Sequence, residues 1–221
     1  MSTDDRLAIY EWSSGATRYV ENSAGCSQPS WAPDGRSLVL ECEGDIVLVD
    51  VSGGTRRNLS DRMSSGTKDT LDYPTWSPRG DMIAFVNLFD FPSGSASDGV
   101  YMMDANCVQT GSNCVATAKG PIGPALTDWV VWSPNGEYVT VHHSAQIGLL
   151  STKGGLNGGV LELSEPYSFQ EATTIAWAPD SEQIAYTRED GIYLVEADGT
   201  NPRLLTELSE WVELIAWVSV P

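Results

Sequence analysis

The sequence predicts an all-β protein, a five-bladed β-propeller in which one blade is shared between the two ends of the chain. Three observations lead to this prediction. A short apolar strand ending in tryptophan recurs along the 221 residues. A tight turn built on proline and glycine follows most copies. The first residues of the chain resemble the strands that its last repeat lacks.

Five copies of the tryptophan strand set the period of the repeat. Their tryptophans lie 45, 56, 45 and 40 residues apart, within the range of one four-stranded propeller blade. Strands this apolar are typical of blades stacked side by side, which bury both faces of each strand. We therefore expect the tryptophans to be core residues wedged between blades. The copies are QPSWAPDG at 28–35, YPTWSPRG at 73–80, WVVWSPNG at 129–136, TIAWAPDS at 174–181 and LIAWVSVP at 214–221, with Trp31, Trp76, Trp132, Trp177 and Trp217.

The residues after each tryptophan predict a tight turn between two antiparallel strands. Proline presets φ at the first corner, and glycine accepts the positive φ that the turn needs. The fourth copy has Ser181 where the first three have Gly35, Gly80 and Gly136. We expect slight backbone strain at that serine.

Three further strands follow each turn in the predicted blade. The second strand is SLVLE, MIAFV, YVTVH or QIAYT, and the third is IVLVD, VYMMD, IGLLS or IYLVE. The fourth strand follows a glycine-containing turn, as in RRNLS and RLLTE. The predicted blades cover about 24–60, 69–119, 125–164 and 171–207, within one domain over 1–221.

The two ends of the chain complement each other in this pattern. Residues 7–23 align with the third and fourth strands of a blade, and 211–221 supply a first strand. A shared blade would close the ring and remove exposed sheet edges. This closing blade lacks a second strand, so the alternative is a fragment of a six- to eight-bladed propeller.

Four cysteines favour disulfides and an oxidising compartment. Cys107 and Cys114 bracket VQTGSN, which we interpret as a hairpin loop that a disulfide would clip. Cys26 precedes one predicted strand and Cys42 ends the next, so antiparallel pairing could join them. A metal site is disfavoured because no CxxC motif and no nearby histidine accompany the cysteines. We expect an extracytoplasmic protein, periplasmic or secreted, although no signal peptide is present in the sequence.

Charge and hydropathy exclude several classes of partner. The net charge of −18 repels phosphate backbones, so we expect no nucleic acid. No apolar run approaches the ~20 residues that span a bilayer. Motifs for nucleotide binding, zinc proteases and serine hydrolases are absent from the sequence, and we expect no cofactor. His142 and His143 cannot easily chelate one metal, because neighbours on a strand face opposite ways. We predict a monomer.

The repeat resembles the PD40 (WD40-like) repeats of TolB-like propellers, whose pattern runs approximately PxWSPDG, IAF, IY and DGxxxxLT. The matches are Pro29 to Gly35, Pro74 to Phe85 and Ile175 to Thr206, with Asp-Gly-Thr at 198–200. The resemblance spans nearly the whole chain and implies the propeller fold. It implies little about function, because one fold hosts many activities. Members include protein-binding TolB and peptidase-linked propellers, but the resemblance concerns the propeller repeats alone, so we expect neither activity to carry over whole.

The predicted ligand site is the mouth of the propeller channel, where the loops that enter the first strands meet the loops between second and third strands. Carboxylates combine there with aromatic side chains, as in sites that bind peptides or sugars. The insertion at 88–98 is the longest departure from the repeat, and long loops on rigid scaffolds tend to carry function. The predicted residues are Gln28, Asp72, Tyr73, Phe89, Asp90, Phe91, Asp128, Trp129, His142, Glu171, Trp211 and Glu213.

Three functions are compatible with the sequence. The first is a non-enzymatic scaffold that binds a protein or peptide. The second is a glycan-binding protein or a glycoside hydrolase that uses inner-strand carboxylates such as Asp72, Asp128, Glu171 and Glu213, two of which would have to lie ~5–9.5 Å apart. The third is a purely structural propeller module of a longer protein. The absence of catalytic motifs favours the first.

Overall fold

Antiparallel strands make up almost all of the regular structure in the computed structural model, and the prediction of an all-β fold is confirmed. The structure describes residues 6–60, 70–88, 99–110, 114, 118–122, 127–143, 146–152, 161–162, 174–188, 190–209 and 216–217. The strands are β1 (Ala8–Glu11), β2 (Ala16–Tyr19), β3 (Cys26–Trp31), β4 (Ser37–Cys42), β5 (Asp45–Asp50), β6 (Arg56–Asn58), β7 (Thr70–Trp76), β8 (Met82–Leu88), β9 (Gly99–Asp104), β10 (Thr127–Trp132), β11 (Tyr138–His143), β12 (Gln146–Ser151), β13 (Leu161–Glu162), β14 (Ile175–Trp177), β15 (Gln183–Arg188), β16 (Gly191–Glu196) and β17 (Arg203–Glu207).

The strands form separate sheets in which each strand pairs with its neighbours in sequence. Sheet 1 has the order β3-β4-β5-β6, sheet 3 the order β10-β11-β12-β13, and sheet 4 the order β14-β15-β16-β17. Sheet 2 has three strands, β7-β8-β9, and a bridge between Met102 and Lys119 lies on its outer edge. The N-terminal ribbon, β1-β2, is a two-stranded hairpin.

Buried side chains lie between consecutive sheets, which places the core in layers. One cluster joins the ribbon to sheet 1 through Ile9 and Leu40. A second joins sheets 1 and 2, a third joins sheets 2 and 3, and a fourth joins sheets 3 and 4. Each inner sheet therefore packs against a neighbour on both faces, which explains its apolar strands.

Three of the five repeat tryptophans follow the predicted wedge role; Trp31 does not, and Trp217 is half-buried and outside the described strands. Trp132 and Trp177 are buried, and Trp76 packs against the cluster between sheets 1 and 2. Trp31 is 45% exposed, which corrects the expectation that all of them are core residues. The reason is positional: the neighbouring ribbon consists of β1 and β2 and supplies no equivalent of a first strand beside β3.

The predicted turns are present after the tryptophan strands. The amides of Gly35, Gly80 and Gly136 each donate to the carbonyl three residues earlier, and all three glycines have φ between 66° and 74°. Ser181 makes the same hydrogen bond at φ 66°, so the expected strain at this serine is confirmed.

Both predicted disulfides are formed. Cys26 and Cys42 face each other at the ends of β3 and β4, with Cα atoms 4.2 Å apart. Cys107 and Cys114 are joined with Cα atoms 5.5 Å apart. The interpretation of this second segment as a hairpin loop is wrong at its start, because Cys107–Thr110 form a short helix, α1. Asp104 favours the helical turn, since its Oδ1 accepts from the Asn106 amide at 2.8 Å.

Closure of the ring stays a prediction. Ala216 and Trp217 lie outside any strand, which corrects the strand expected there, and the rest of 211–221 lies outside the described residues. Tyr10, Trp12 and Tyr19 of the ribbon are exposed, as are Leu204 and Leu205 of β17. The predicted blade limits, the single domain and the monomeric state likewise remain predictions.

Candidate functional site

Two left-handed backbone positions mark the first strands of sheets 1 and 2. Gln28 has φ 52° and Tyr73 has φ 51°, and each precedes its tryptophan by three residues. The pairing register shifts at the same places, between Ser27 and Ser30 and between Asp72 and Thr75. The mouth residues therefore lie on bulges inside strands rather than in loops before them. Positive φ costs a non-glycine residue roughly 1–2 kcal/mol, and such strain clusters at functional sites.

Gln28 connects the two bulges. Its Oε1 accepts from the Tyr73 amide at 2.6 Å, and its side chain also hydrogen-bonds to the Asp72 carboxylate. One side chain of sheet 1 thus fixes two mouth residues of sheet 2. The Leu71 amide reinforces this junction by donating to the Gly44 carbonyl at 3.0 Å.

A second carboxylate, that of Glu41, lies beside this junction. Its oxygens accept from the Ser27 hydroxyl at 2.8 Å and from the Gly44 amide at 2.6 Å. Because Glu41 lies in β4 directly opposite Ser27, the strand register could have revealed it, but it is not among the residues predicted from the sequence.

The electrostatics of Asp72 reflect burial and this neighbour. Partial burial raises the pKa of the Asp72 carboxyl above its usual range, and the negative charge of Glu41 raises it further. Hydrogen bonds from Gln28 and from the Tyr73 amide act in the opposite direction but do not cancel the rise. The ionised form is therefore disfavoured in the folded protein.

We expect Asp72→Asn to stabilise the protein at pH 7. A raised folded pKa contributes stability that is present below the unfolded value of 3.8 and lost as the pH rises through the folded value. An asparagine amide does not ionise, so the variant does not lose stability as the pH rises. The stability gain of Asp72→Asn over the wild type should therefore vanish below pH 3.8. Urea unfolding at pH 7 and below pH 3.8 tests this, with Asp180→Asn, at an exposed position, as the control. Lower stability of Asp72→Asn than of the wild type at pH 7 would contradict the expectation.

An aromatic wall continues the mouth into sheet 3. Trp129 stacks on His142, its cross-strand partner, with ring centroids 4.5 Å apart and planes inclined by 13°. Tyr73 packs against the cluster that joins sheets 2 and 3. Gln28, Tyr73 and Trp129 occupy the same position of the repeat, three residues before Trp31, Trp76 and Trp132.

The predicted site residues are thus only partly placed. The described ones are Gln28, Asp72, Tyr73, Trp129 and His142. His142 lies within β11 and is 7% exposed, which corrects its assignment to a loop. The side chain is buried because Trp129 covers it. Asp128 lies on β10, and nothing is described of its side chain. Phe89, Asp90, Phe91, Glu171, Trp211 and Glu213 lie outside the described residues.

The described part of the chain also bears on two other classes of site, metal centres and membrane-spanning segments. Among these residues, no group of three or more His, Cys, Asp or Glu side chains could hold a metal ion. None of the described helices has the length and hydrophobicity needed to span a membrane.

Comparison with known proteins identifies the fold. No family model and no curated protein matches the sequence. Among solved structures, a putative TolB from Agrobacterium tumefaciens is 19% identical and aligns with a TM-score of 0.64 over 91% of this chain and 69% of its own. An oligogalacturonate lyase in complex with manganese is 12% identical, with a TM-score of 0.61 over 91% of this chain and 59% of its own.

A third structure, hydrazine synthase from Kuenenia stuttgartiensis, is 16% identical with a TM-score of 0.55, over 82% of this chain and 49% of its own. This chain therefore spans about half to two thirds of the proteins that it resembles. Identities this low concern the fold alone. The TolB-like β-propeller architecture expected from the repeats is confirmed.

Proposed function

We propose that this chain is a non-enzymatic binding scaffold outside the cytoplasm, and that it recognises a protein or peptide through the channel mouth. The observation that carries the proposal is the pair of left-handed bulges at Gln28 and Tyr73, joined by a hydrogen bond of 2.6 Å. Strained positions persist only where the surroundings hold them. Here they place an amide on sheet 1 against an aromatic residue on sheet 2, with the Asp72 carboxylate next to both.

The chemistry of the mouth suits a peptide. Tyr73 and Trp129 offer flat apolar faces, and aromatic residues of this kind dominate the energetics of protein interfaces. Asp72 and Glu41 can accept hydrogen bonds from backbone amides or from basic side chains. The net charge of −18 disfavours nucleic acid in the same place.

The cysteines support the proposed location. Cys26–Cys42 and Cys107–Cys114 are both oxidised, and the structure contains no free cysteine among its described residues. Disulfides persist in the periplasm and outside the cell but are rare in the cytosol.

We expect Tyr73→Ala and Trp129→Ala to weaken peptide binding at least tenfold, because truncating an interface hot spot costs about 2 kcal/mol or more. The probe is a peptide selected on the wild-type protein from a random display library and measured in solution. Tyr10→Ala and Trp12→Ala are matched controls, because they remove exposed aromatic rings of the ribbon, away from the mouth. Equal affinity of both mouth variants and wild type, or failure to select any peptide, would reject the proposal.

A second candidate is a glycan-cleaving enzyme with Asp72 as its acid. The raised pKa of Asp72 beside the carboxylate of Glu41 favours it, since a carboxyl group with a raised pKa can serve as the general acid of a glycosidase. The fold likeness to an oligogalacturonate lyase is compatible with it. Release of reducing sugar from a glycan panel, lost in Asp72→Asn, would support this candidate. A broad panel without turnover counts against it.

A further inference from the structure

A cavity lies between sheets 1 and 2 at the end of the propeller opposite the mouth. Its volume is about 490 Å³, within the range of 300–1,000 Å³ that small-molecule pockets occupy. The turns after Trp31 and Trp76 form one side, and the segment after β9 forms the other. Pro33, Asp34, Trp76, Asn106, Val108 and Gln109 are among the lining residues.

One repeat position beside the cavity differs between the neighbouring sheets. Arg79, three residues after Trp76, reaches the turn of sheet 3, donates to the Asn135 carbonyl at 2.8 Å and lies 3.8 Å from the Glu137 carboxylate. The same position in sheet 1 is Asp34, three residues after Trp31. Its side chain is too short to cross to sheet 2, so the corresponding space between sheets 1 and 2 stays open.

The outer wall of the cavity is held from two directions. Helix α1 contributes Val108 and Gln109, and the Cys107–Cys114 disulfide closes the segment that follows it. Arg57 of β6 donates to the carbonyls of Cys107, at 2.8 Å, and of Val108. This arginine belongs to sheet 1 and the helix follows sheet 2, so the wall spans both sheets.

The lining combines apolar faces with polar groups at the rim. Leu48, Trp76, Ala105 and Val108 supply the apolar part. Asp34, Asn106 and Gln109 bring carboxylate and amide groups, and the Gln109 side chain makes no hydrogen bond to other described residues. An indole ring beside amide and carboxylate groups matches the two surfaces of a sugar, whose C–H face is apolar and whose edge carries hydroxyls.

We propose that this cavity is a second binding site, independent of the mouth, and that it takes a neutral sugar residue. The pre-formed wall lowers the ordering that binding would otherwise require. Because the two sites lie at opposite ends of the strands, the proposal stands whether or not the mouth binds a peptide.

Binding of methyl glucoside, methyl galactoside and N-acetylglucosamine, measured by saturation-transfer NMR and calorimetry, tests the proposal. We expect saturable binding of at least one probe. In Asp34→Arg we expect the new side chain to occupy the cavity. It can contact the Arg79 carbonyl and the Asp81 carboxylate of sheet 2, which correspond in the repeat to the Asn135 carbonyl and the Glu137 carboxylate that Arg79 contacts in sheet 3. We expect at least tenfold weaker binding, which corresponds to about 1.4 kcal/mol.

Asp180→Arg is the matched control, because it makes the same charge change at the same repeat position in sheet 4 and should leave affinity unchanged. Gln109→Ala provides a second variant that removes a rim amide from an exposed position, and it should also weaken binding. If no probe binds the wild type, or if Asp34→Arg and Gln109→Ala both bind as the wild type does, the proposal is wrong.

Discussion

Removing the Cys26–Cys42 disulfide should lower the free energy of unfolding by about 3 kcal/mol, the value expected for a closed loop of this length. The two residues are 16 apart in sequence, so the cross-link restricts the unfolded chain considerably. The change is Cys26→Ser with Cys42→Ala, and urea unfolding at pH 7 measures it through the midpoint at constant slope.

Reduced wild-type protein separates the cross-link from the packing of the cysteine side chains. Cys42 is 2% exposed, and truncating it to alanine removes some buried contact in addition to the bond. Reduction leaves the sulfur atoms in place and opens both disulfides. The prediction fails if the double variant unfolds at the same urea concentration as the oxidised wild type.

The same disulfide also bears on the mouth. Cys26 and Cys42 adjoin Ser27 and Glu41, whose side chains form the hydrogen bond of 2.8 Å at the end of β3 and β4. The cross-link therefore fixes the two strands where the site begins.

Local chemistry made most of the fold predictable from the sequence. Proline and glycine at fixed offsets from tryptophan define a turn within a few residues, and the structure has those turns. Even the exception was predictable, because Ser181 has to adopt the φ of the glycine that it replaces. Cys26 and Cys42 are 16 residues apart across a predicted hairpin, so antiparallel pairing places them opposite each other.

The mouth was less predictable, because its geometry depends on contacts between sheets. Gln28 and Tyr73 carry no sequence mark of a left-handed backbone, which glycine or asparagine would have given. Their conformation accompanies bulges and a hydrogen bond across two repeats. His142 likewise looked like a loop residue until the stacking with Trp129 showed why it is buried.

The cavity on the opposite end escaped sequence analysis altogether. It lies beside Asp34, whose side chain is shorter than that of Arg79 at the same repeat position in sheet 2. Such a difference is visible in the sequence once the sheets are known to be neighbours. The repeat alignment would then have pointed to the gap.

Thr140→Val should lower the free energy of unfolding by about 1–3 kcal/mol, the cost of leaving a buried donor without its acceptor. The fully buried hydroxyl of Thr140 accepts from the Trp177 indole at 3.3 Å and donates to the Val131 carbonyl at 3.1 Å. Valine has the same shape but neither function, so packing is preserved while both hydrogen bonds are lost.

Sheet 1 allows the reverse substitution, in which a buried valine is replaced by threonine. Val39 follows Trp31 by eight residues, as Thr140 follows Trp132, and it pairs with Ser30 as Thr140 pairs with Val131. The indole nitrogen of Trp76, which packs in the same cluster as Val39, is buried and has no hydrogen-bond partner in the described structure. Val39 therefore occupies the position at which a threonine hydroxyl could accept a hydrogen bond from the Trp76 indole.

Val39→Thr should therefore raise the free energy of unfolding by about 1 kcal/mol, the net value of a satisfied hydrogen bond. Its hydroxyl would accept from the Trp76 indole and donate to the Ser30 carbonyl, the geometry that Thr140 already has. Val47→Thr is the matched control, because it buries a hydroxyl in the cluster that joins the ribbon to sheet 1, away from Trp76. That variant should lose stability. Equal losses in Val39→Thr and Val47→Thr would mean that the buried indole gains nothing from the new hydroxyl.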